Sequence, residues 1–312
     1  MAAAVVLATW ASLTAGAAAR TAATTTTVAI PSTVSDPARA LADEAALSAK
    51  GRAVYFASAP SVDDRTEFAS DCPKPETPDS YVLGCYVPAT HRIFLLRIDR
   101  PELASGMVVT AAHEMLHAAH DRLSSRQLAR LEPLLEFAYS LTDDPTLRQE
   151  IDAYPAGQRL GELYARLGTE VAQLPPPLEH HYAAYFADRS VVVAAATAYR
   201  RVFEDLDAQL AQIDGQLAAL EQQGNAVRAQ ADAAGGEAER LGAQIDGLRA
   251  QGRIAESNEL VDQANAAAQQ ASALADQYND LVTRHNGLVA SYDALALTDQ
   301  QLQDSVRPLP AP

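Results

Sequence analysis

The spacing of apolar residues changes along the chain and divides it into two parts. Up to about residue 189 the apolar positions follow no single period. Beyond Tyr199 they recur in alternating steps of four and three, first from Phe203 to Leu248 and again from Leu260 to Leu295. Seams of this length are typical of left-handed coiled coils.

The tripeptide QGR at 251–253 separates the two seams and predicts a turn. A chain that folds back there has a longer arm of roughly 70–80 Å. Small residues of the two seams then lie opposite one another, namely Ala231, Ala234 and Ala238 against Ala267 and Ala271. This match predicts an antiparallel helical hairpin over 191–300 rather than a parallel dimer, and self-association through the outer faces stays open. Gly224 is the interruption in the first seam, and the heptad repeat at Tyr278, His285 and Tyr292 is interpreted as seam packing.

The first part, residues 38–190, mixes helical and strand patterns. A short helix is predicted at 38–50, an alternating apolar run follows at 52–57, and strand-like runs at 81–87 and 92–98 predict a β-hairpin. Further helices are predicted from 101–105 onward, through the segment MVVTAAHEMLHAAHDRL, and then at about 125–140, 146–153 and 161–171. The fold class is therefore α+β, an α-rich domain with a small antiparallel sheet followed by the coiled-coil hairpin.

The N-terminal residues predict export. Residues 2–19 carry no charge and end in small residues suited to signal-peptidase cleavage after Ala19, so 1–19 is interpreted as a signal peptide or membrane anchor. An Ala-rich soluble helix is the alternative, because alanine has the highest helix propensity. Residues 20–37 form a Thr-rich linker and 301–312 a Pro-rich tail.

Cys72 and Cys85 are the two cysteines of the chain. Export would allow them to form a disulfide, which closes a small loop, whereas two buried thiols are the alternative. The export segment predicts an extracytoplasmic location, secreted or anchored in the cell envelope, in which this pair could oxidise.

The charge balance argues against nucleic acid as a partner. The formal net charge is −16, and Lys50 and Lys74 are the only lysines among 24 basic residues. Such a chain offers no basic surface to neutralise a phosphate backbone.

The sequence HEMLH at 113–117 has the form H-E-x-x-H. On a helix this spacing places His113 and His117 one turn apart on one face, where both imidazoles can bind one Zn²⁺. Glu114 then lies beside the metal, where its carboxylate can act as a general base toward an activated water. The apolar flanks VVTAA, Met115 and Leu116 predict that the helix is buried on one side.

With this motif on a buried helix, the region from Arg52 to Arg189 resembles the gluzincin branch of the zinc metallopeptidases, in which a Glu from a later helix completes the site. The resemblance implies a zincin-like domain and Glu162, in GELYA, as the third ligand. Glu170, in GTEVA, is the runner-up or a partner that orients a histidine, and Glu150 is a weaker alternative. Glu162 follows His117 by 45 positions, a longer spacing than in compact gluzincins.

The resemblance implies a zinc-dependent peptidase that acts on a peptide or protein. His120 is interpreted as a surface residue or as a partner of a ligand. The donor to the developing oxyanion is left open among His180, His181, Tyr154, Tyr164, Tyr182 and Tyr185. The run RIFLLRI is expected to form a sheet edge that pairs with extended peptide.

Two other functions stay open at this point. The chain could be a cell-envelope interaction or scaffold protein that acts through its coiled coil, with a non-catalytic zincin-like domain; the presence of Glu114 argues against this. It could also be a structural coiled coil with a chance motif.

Overall fold

The computed structural model describes residues 34–72 and 82–307. The predicted export segment at 1–19, most of the Thr-rich linker and the last five residues of the predicted tail lie outside the described residues. Across the described ranges, no helix combines the length and the apolar character that a membrane span requires.

Ten α-helices and three β-strands are present in the described ranges. The helices are α1 Asp36–Glu44, α2 Ala49–Ala57, α3 Arg65–Asp71, α4 Ala104–Asp121, α5 Ser125–Ser140, α6 Pro145–Asp152, α7 Ala156–Glu170, α8 Pro176–Tyr182, α9 Arg189–Ala250 and α10 Ile254–Val306. The strands are β1 Ser61–Asp63, β2 Gly84–Val87 and β3 Arg92–Leu96, and a short 3₁₀ helix, Pro101–Leu103, precedes α4.

The segment predicted as one helix at 38–50 is divided between α1 and α2. Ala46 has a positive φ of 47°, which ends the first helix, and the Ser48 hydroxyl accepts a hydrogen bond from the Gly51 amide and caps the second. The alternating run at 52–57 is helical, with Tyr55 and Phe56 buried in the core. A run of six residues is too short for its period to distinguish a helix from a strand.

The sheet is mixed rather than wholly antiparallel. β2 and β3 form the predicted antiparallel hairpin, with Cys85 paired to Phe94, whereas β1 lies parallel to β3 on its other side. The order β1-β3-β2 makes β3 the central strand. The expectation that β3 forms a free sheet edge is therefore wrong, because strands occupy both of its sides.

The core of the domain is built around α4. Its buried face carries small side chains, among them Ala111, Ala112 and Ala118, together with Met115 and Leu116. The small residues let other helices approach, and α4 packs against α1, α2, α7 and α9. The helix of the H-E-x-x-H motif is thus fixed from several sides.

The long hairpin is present and is joined to this core at its base. Gly252, with a φ of +75°, lies in the turn between α9 and α10, where the sequence predicts it. Val192 at the start of α9 belongs to the main core, while Leu302 and Val306 at the end of α10 pack against Leu103 beside α4. α10 therefore continues through the first six residues of the predicted tail.

Cys72 and Cys85 form a disulfide. The bond joins the residue that follows α3 to β2, beside a small cluster of Phe68, Phe94 and Leu96. This confirms the predicted pairing and is compatible with an extracytoplasmic location.

Candidate metal centre

His113 and His117 lie one turn apart on the same face of α4. Their Nε2 atoms are 3.0 Å apart and their ring centroids 4.7 Å apart. The rest of the buried face of α4 packs into the core, so the helix holds both imidazoles in fixed positions. Both rings present the same nitrogen toward one point.

Glu162 on α7 completes this arrangement. Its Oε1 lies 3.2 Å from His117 Nε2, and its Oε2 lies 3.5 Å from His113 Nε2. The group of His113, His117 and Glu162 offers three ligand atoms within 4.8 Å of one another and could hold a metal ion. It is the one such group of His, Cys, Asp and Glu residues within 34–72 and 82–307.

Close packing of α7 on α4 sets these distances. Gly168 approaches α4 so closely that a Cβ there would lie 2.4 Å from Leu116 Cδ1. About two turns earlier on α7, Gly161 and Glu162 face the motif, and a Cβ at Gly161 would lie 3.8 Å from His117 Nδ1. The register of the two helices therefore decides which carboxylate meets the histidines.

The donor set fits a zinc ion. Two ligand atoms bound to one Zn²⁺ at about 2.0–2.1 Å with tetrahedral angles lie about 3.3 Å apart. The two histidine Nε2 atoms are 3.0 Å apart and Glu162 Oε1 lies 3.2 Å from His117 Nε2, both close to that value, while the second carboxylate oxygen, Oε2, lies 3.5 Å from His113 Nε2. In addition, Glu162 Oε2 is buried and no protein donor hydrogen-bonds it, so the carboxylate is not satisfied by its neighbours and can still bind a cation.

The charges within the group are strongly coupled. Burial tends to raise the pKa of Glu162, but the polar contacts and charges of the His113 and His117 imidazoles outweigh it and hold that pKa well below its ordinary value. Burial tends to lower the pKa of His117, whereas the hydrogen bond to Glu162 and the charge of Glu114 raise it above its ordinary value. The group is therefore arranged to stabilise positive charge.

Glu114 is buried beside the group. Its exposed fraction is 6%, and burial raises the pKa of its carboxyl, although the charges of His113 and His117 oppose the shift. β2 covers this side chain, because a Cβ at Gly84 would lie 3.0 Å from Glu114 Cγ. The carboxylate is thus held between α4 and the edge strand of the sheet.

The two alternative ligands, Glu170 and Glu150, lie outside the group. Both bind the guanidinium of Arg166, with Nη1 at 3.3 Å from Glu170 Oε1 and 2.5 Å from Glu150 Oε2. His120 also points elsewhere, since its ring packs against Tyr164 at 5.3 Å between centroids. Burial, followed by the charge of His117, lowers the pKa of His120.

Among the residues considered as oxyanion donors, Tyr154 is the one whose pKa is affected by Glu162 and Glu114. Burial raises its pKa and the charges of Glu162 and Glu114 act in the same direction, whereas the charge of Arg166 and a hydrogen bond to it oppose the shift. Tyr164, by contrast, hydrogen-bonds His181 Nε2 at 2.8 Å and packs on Tyr182 at 5.4 Å between ring centroids. Tyr182 donates to the Tyr164 carbonyl, which makes this cluster part of the core.

Two residues at the site were not predicted from the sequence. Arg166 follows Glu162 by four positions, a spacing that places both on one helix face and could have indicated the contact. Gly84 gave no usable signal, because its role depends on how the sheet packs on α4.

Comparisons of the chain with protein-family models, curated proteins and solved structures give no match. The function is therefore inferred from the residues of the site.

Proposed function

We propose that the protein is a zinc-dependent peptidase that hydrolyses peptide bonds outside the cytoplasm. The observation that carries the proposal is the convergence of His113, His117 and Glu162 beside the buried carboxylate of Glu114. Two histidines, one carboxylate and an adjacent Glu are the set expected for hydrolysis by an activated water.

Zinc would be held by the two imidazole Nε2 atoms and the Glu162 carboxylate, and when bound it would lower the pKa of a water molecule and polarise the substrate carbonyl. Glu114 would accept a proton from the attacking water at a carboxylate oxygen and pass it to the nitrogen of the leaving amine. Burial of Glu114 supports this role, because a carboxyl with a raised pKa is a stronger base.

Tyr154 is the proposed donor to the oxygen on which negative charge develops. It follows α6 and is half-buried, and its pKa responds to Glu162 and Glu114. Loss of one such hydrogen-bond donor typically lowers kcat about 100- to 1000-fold. Tyr154→Phe removes the hydroxyl and keeps the ring.

The helical hairpin is proposed to act together with this site rather than as a separate scaffold. α9 packs on both α4 and α7, the two helices that carry the metal group. The buried Arg189 at its start also binds the carbonyls of Val171 and Ala172, directly after α7. A rigid base of this kind suits an arm that presents a protein substrate or holds the enzyme at a cell-envelope partner.

The first experiment is elemental analysis of the purified full chain beside four variants. We expect one zinc per chain in the wild type, loss of zinc in His113→Ala and Glu162→Gln, and retention in Glu114→Gln. Glu170→Gln is the matched control, because it removes a carboxylate from the same helix that does not meet the histidines.

Activity is then measured on a peptide library. Cleavage by the wild type and by Glu170→Gln, with loss in Glu114→Gln despite full zinc content, would support the proposal. A wild type that binds no zinc under metal-replete conditions would overturn it and leave the hairpin as the functional part.

A further inference from the structure

Arg166 lies on α7 one turn after Glu162 and is surrounded by carboxylates. Its Nη1 lies 2.5 Å from Glu150 Oε2 and 3.3 Å from Glu170 Oε1, and its Nε lies 3.8 Å from Glu162 Oε2. Only 18% of its side chain is exposed. The guanidinium thus connects Glu150 on α6 with Glu162 in the middle of α7 and Glu170 at its end.

Two polar atoms without hydrogen bonds face each other in this cluster. Glu162 Oε2 and Arg166 Nε are both buried and both lack a hydrogen-bond partner. Their separation of 3.8 Å is an ion-pair distance, which a small side-chain rotation would turn into a hydrogen bond. Arg166 is therefore placed to hold one oxygen of Glu162, and the other oxygen, Oε1, is the one at 3.2 Å from His117 Nε2.

The arginine also balances the charge around the ligand. Glu150, Glu162 and Glu170 would repel one another in a half-buried site, and no metal reaches the first and third of them in the proposed arrangement. A planar guanidinium can bind several carboxylates at once, whereas a lysine ammonium acts as a single point charge. The shape of the side chain matters here as well as its charge.

We propose that Arg166 is a positioning residue for the metal centre, which holds Glu162 Oε2 so that the carboxylate is pre-oriented toward His113 and His117. This inference rests on the proposed metal site. Partners that orient metal ligands typically change metal affinity 10- to 100-fold when removed. Arg166 forms no described hydrogen bond or ion pair with the histidines or Glu114, so its effect on the metal ligands passes through Glu162. It also interacts with Tyr154, which is why the test reads metal binding rather than activity.

Arg159 provides a matched control on the same helix. It forms ion pairs with Glu136 on α5 at 2.5 Å and with Asp152 on α6 at 3.7 Å, and 25% of its side chain is exposed. Its ion pairs therefore join α7 to neighbouring helices as those of Arg166 do, but they do not include a residue of the metal group. Loss of helix packing alone should affect both variants, whereas loss of ligand positioning should affect only one.

The test measures metal binding by the full chain, without reference to activity. Zn²⁺ affinity is determined by competition with a chromophoric chelator, and the visible absorption of bound Co²⁺ reports the coordination geometry. Folding of each variant is checked by circular dichroism. We expect Arg166→Met to bind Zn²⁺ about 10- to 100-fold more weakly and to change the Co²⁺ spectrum. Arg159→Met should stay within about threefold of the wild type, with an unchanged spectrum.

Arg166→Lys keeps the positive charge, and it tests the proposed positioning role if Arg166→Met does not fold. It should show weaker Zn²⁺ binding than the wild type and an altered Co²⁺ spectrum, because the ammonium cannot replace the planar fork. Wild-type affinity and spectrum in the folded Arg166 variants would overturn the inference while leaving the metal site intact. A wild type that binds neither ion would instead overturn the proposed function, so the two failures are distinguishable.

Discussion

Gly84 on β2 lies directly against Glu114 on α4. A Cβ at residue 84 would lie 3.0 Å from Glu114 Cγ and 2.5 Å from the methyl carbon of Thr110, closer than side chains normally approach. The strand can cover the proposed general base only because residue 84 has no side chain.

Gly84→Ala should therefore displace Glu114 while leaving the metal ligands in place. We expect kcat/KM for peptide hydrolysis to fall by about 100-fold, the cost of a misplacement of about 1 Å, with zinc content unchanged. Thr110→Ser supplies the control, since it removes the nearest methyl group and keeps the hydroxyl that donates to the Gly106 carbonyl at 2.7 Å. The double variant should recover part of the activity. Full activity and wild-type stability in Gly84→Ala would contradict the proposed contact.

The coupled charges of His117 and Glu162 predict how stability depends on pH. The pKa of His117 is raised above 6.5, so its contribution to metal-free stability is present below that pH and is lost as pH rises through the raised value. The pKa of Glu162 is lowered below 4.5, so its contribution is present above that pH and is lost as pH falls. In the chelator-treated protein, the interaction of His117 with Glu162 is therefore expected to stabilise the fold most between pH 4.5 and pH 6.5.

Stabilisation by bound metal should instead increase as the pH rises toward neutrality, because a proton on His117 competes with the metal. The increase in Tm on adding zinc should grow between pH 5.5 and 8. Differential scanning calorimetry of the chelated and zinc-loaded protein measures this directly. Glu162→Gln, which removes the pair, should lose both trends; a zinc-induced shift in Tm that is equal at the two pH values would count against a histidine-bound metal.

The disulfide is expected to stabilise the sheet that covers Glu114. Cys72 and Cys85 are separated by 13 positions, and closing a loop of that size is worth about 3 kcal/mol in the chain-entropy description. The double variant Cys72→Ser/Cys85→Ser should lower the free energy of unfolding by about that amount, measured by urea denaturation. Adding a reductant to the wild type should have the same effect and should not affect the double variant. Equal stability of the oxidised and reduced wild type would exclude a structural role for the bond.

Substitution by alanine should have opposite effects on stability at Gly168 and at Gly236. At Gly168 an added methyl would lie 2.4 Å from Leu116 and 2.8 Å from Tyr182, so Gly168→Ala should destabilise the core by about 1–3 kcal/mol. At Gly236 on α9 there is no atom within 4 Å of the added carbon, so Gly236→Ala should stabilise the hairpin by about 0.5–1 kcal/mol through helix propensity.

Thermal unfolding followed by circular dichroism tests both variants. Because Gly168 also fixes α7 against α4, its variant should weaken zinc binding, whereas Gly236→Ala should leave zinc binding unchanged. Stabilisation by Gly168→Ala would show that the two helices are not closely packed.

Periodicity and local motif determined much of this protein from the sequence alone. The heptad spacing from Phe203 to Leu295 predicted both arms and the turn near Gly252, because a repeat over many heptads averages out local exceptions. The H-E-x-x-H spacing placed His113 and His117 on one helix face, because residues four positions apart in a single helix lie one turn apart on the same side. The two cysteines allow one intrachain pair, Cys72 with Cys85, but the sequence left two buried thiols as the alternative until the structure showed the bond.

Contacts between secondary-structure elements were decided only by the tertiary structure. Sequence spacing left Glu150, Glu162 and Glu170 as alternatives, and the close approach of α7 to α4 brought only Glu162 to the histidines. The position of β3 in the centre of the sheet likewise depends on β1, whose three residues are too few to give a periodic signal. Periodicity reports which face of an element is buried, but the partner and register of that face are set by packing, which depends on side chains far apart in the chain.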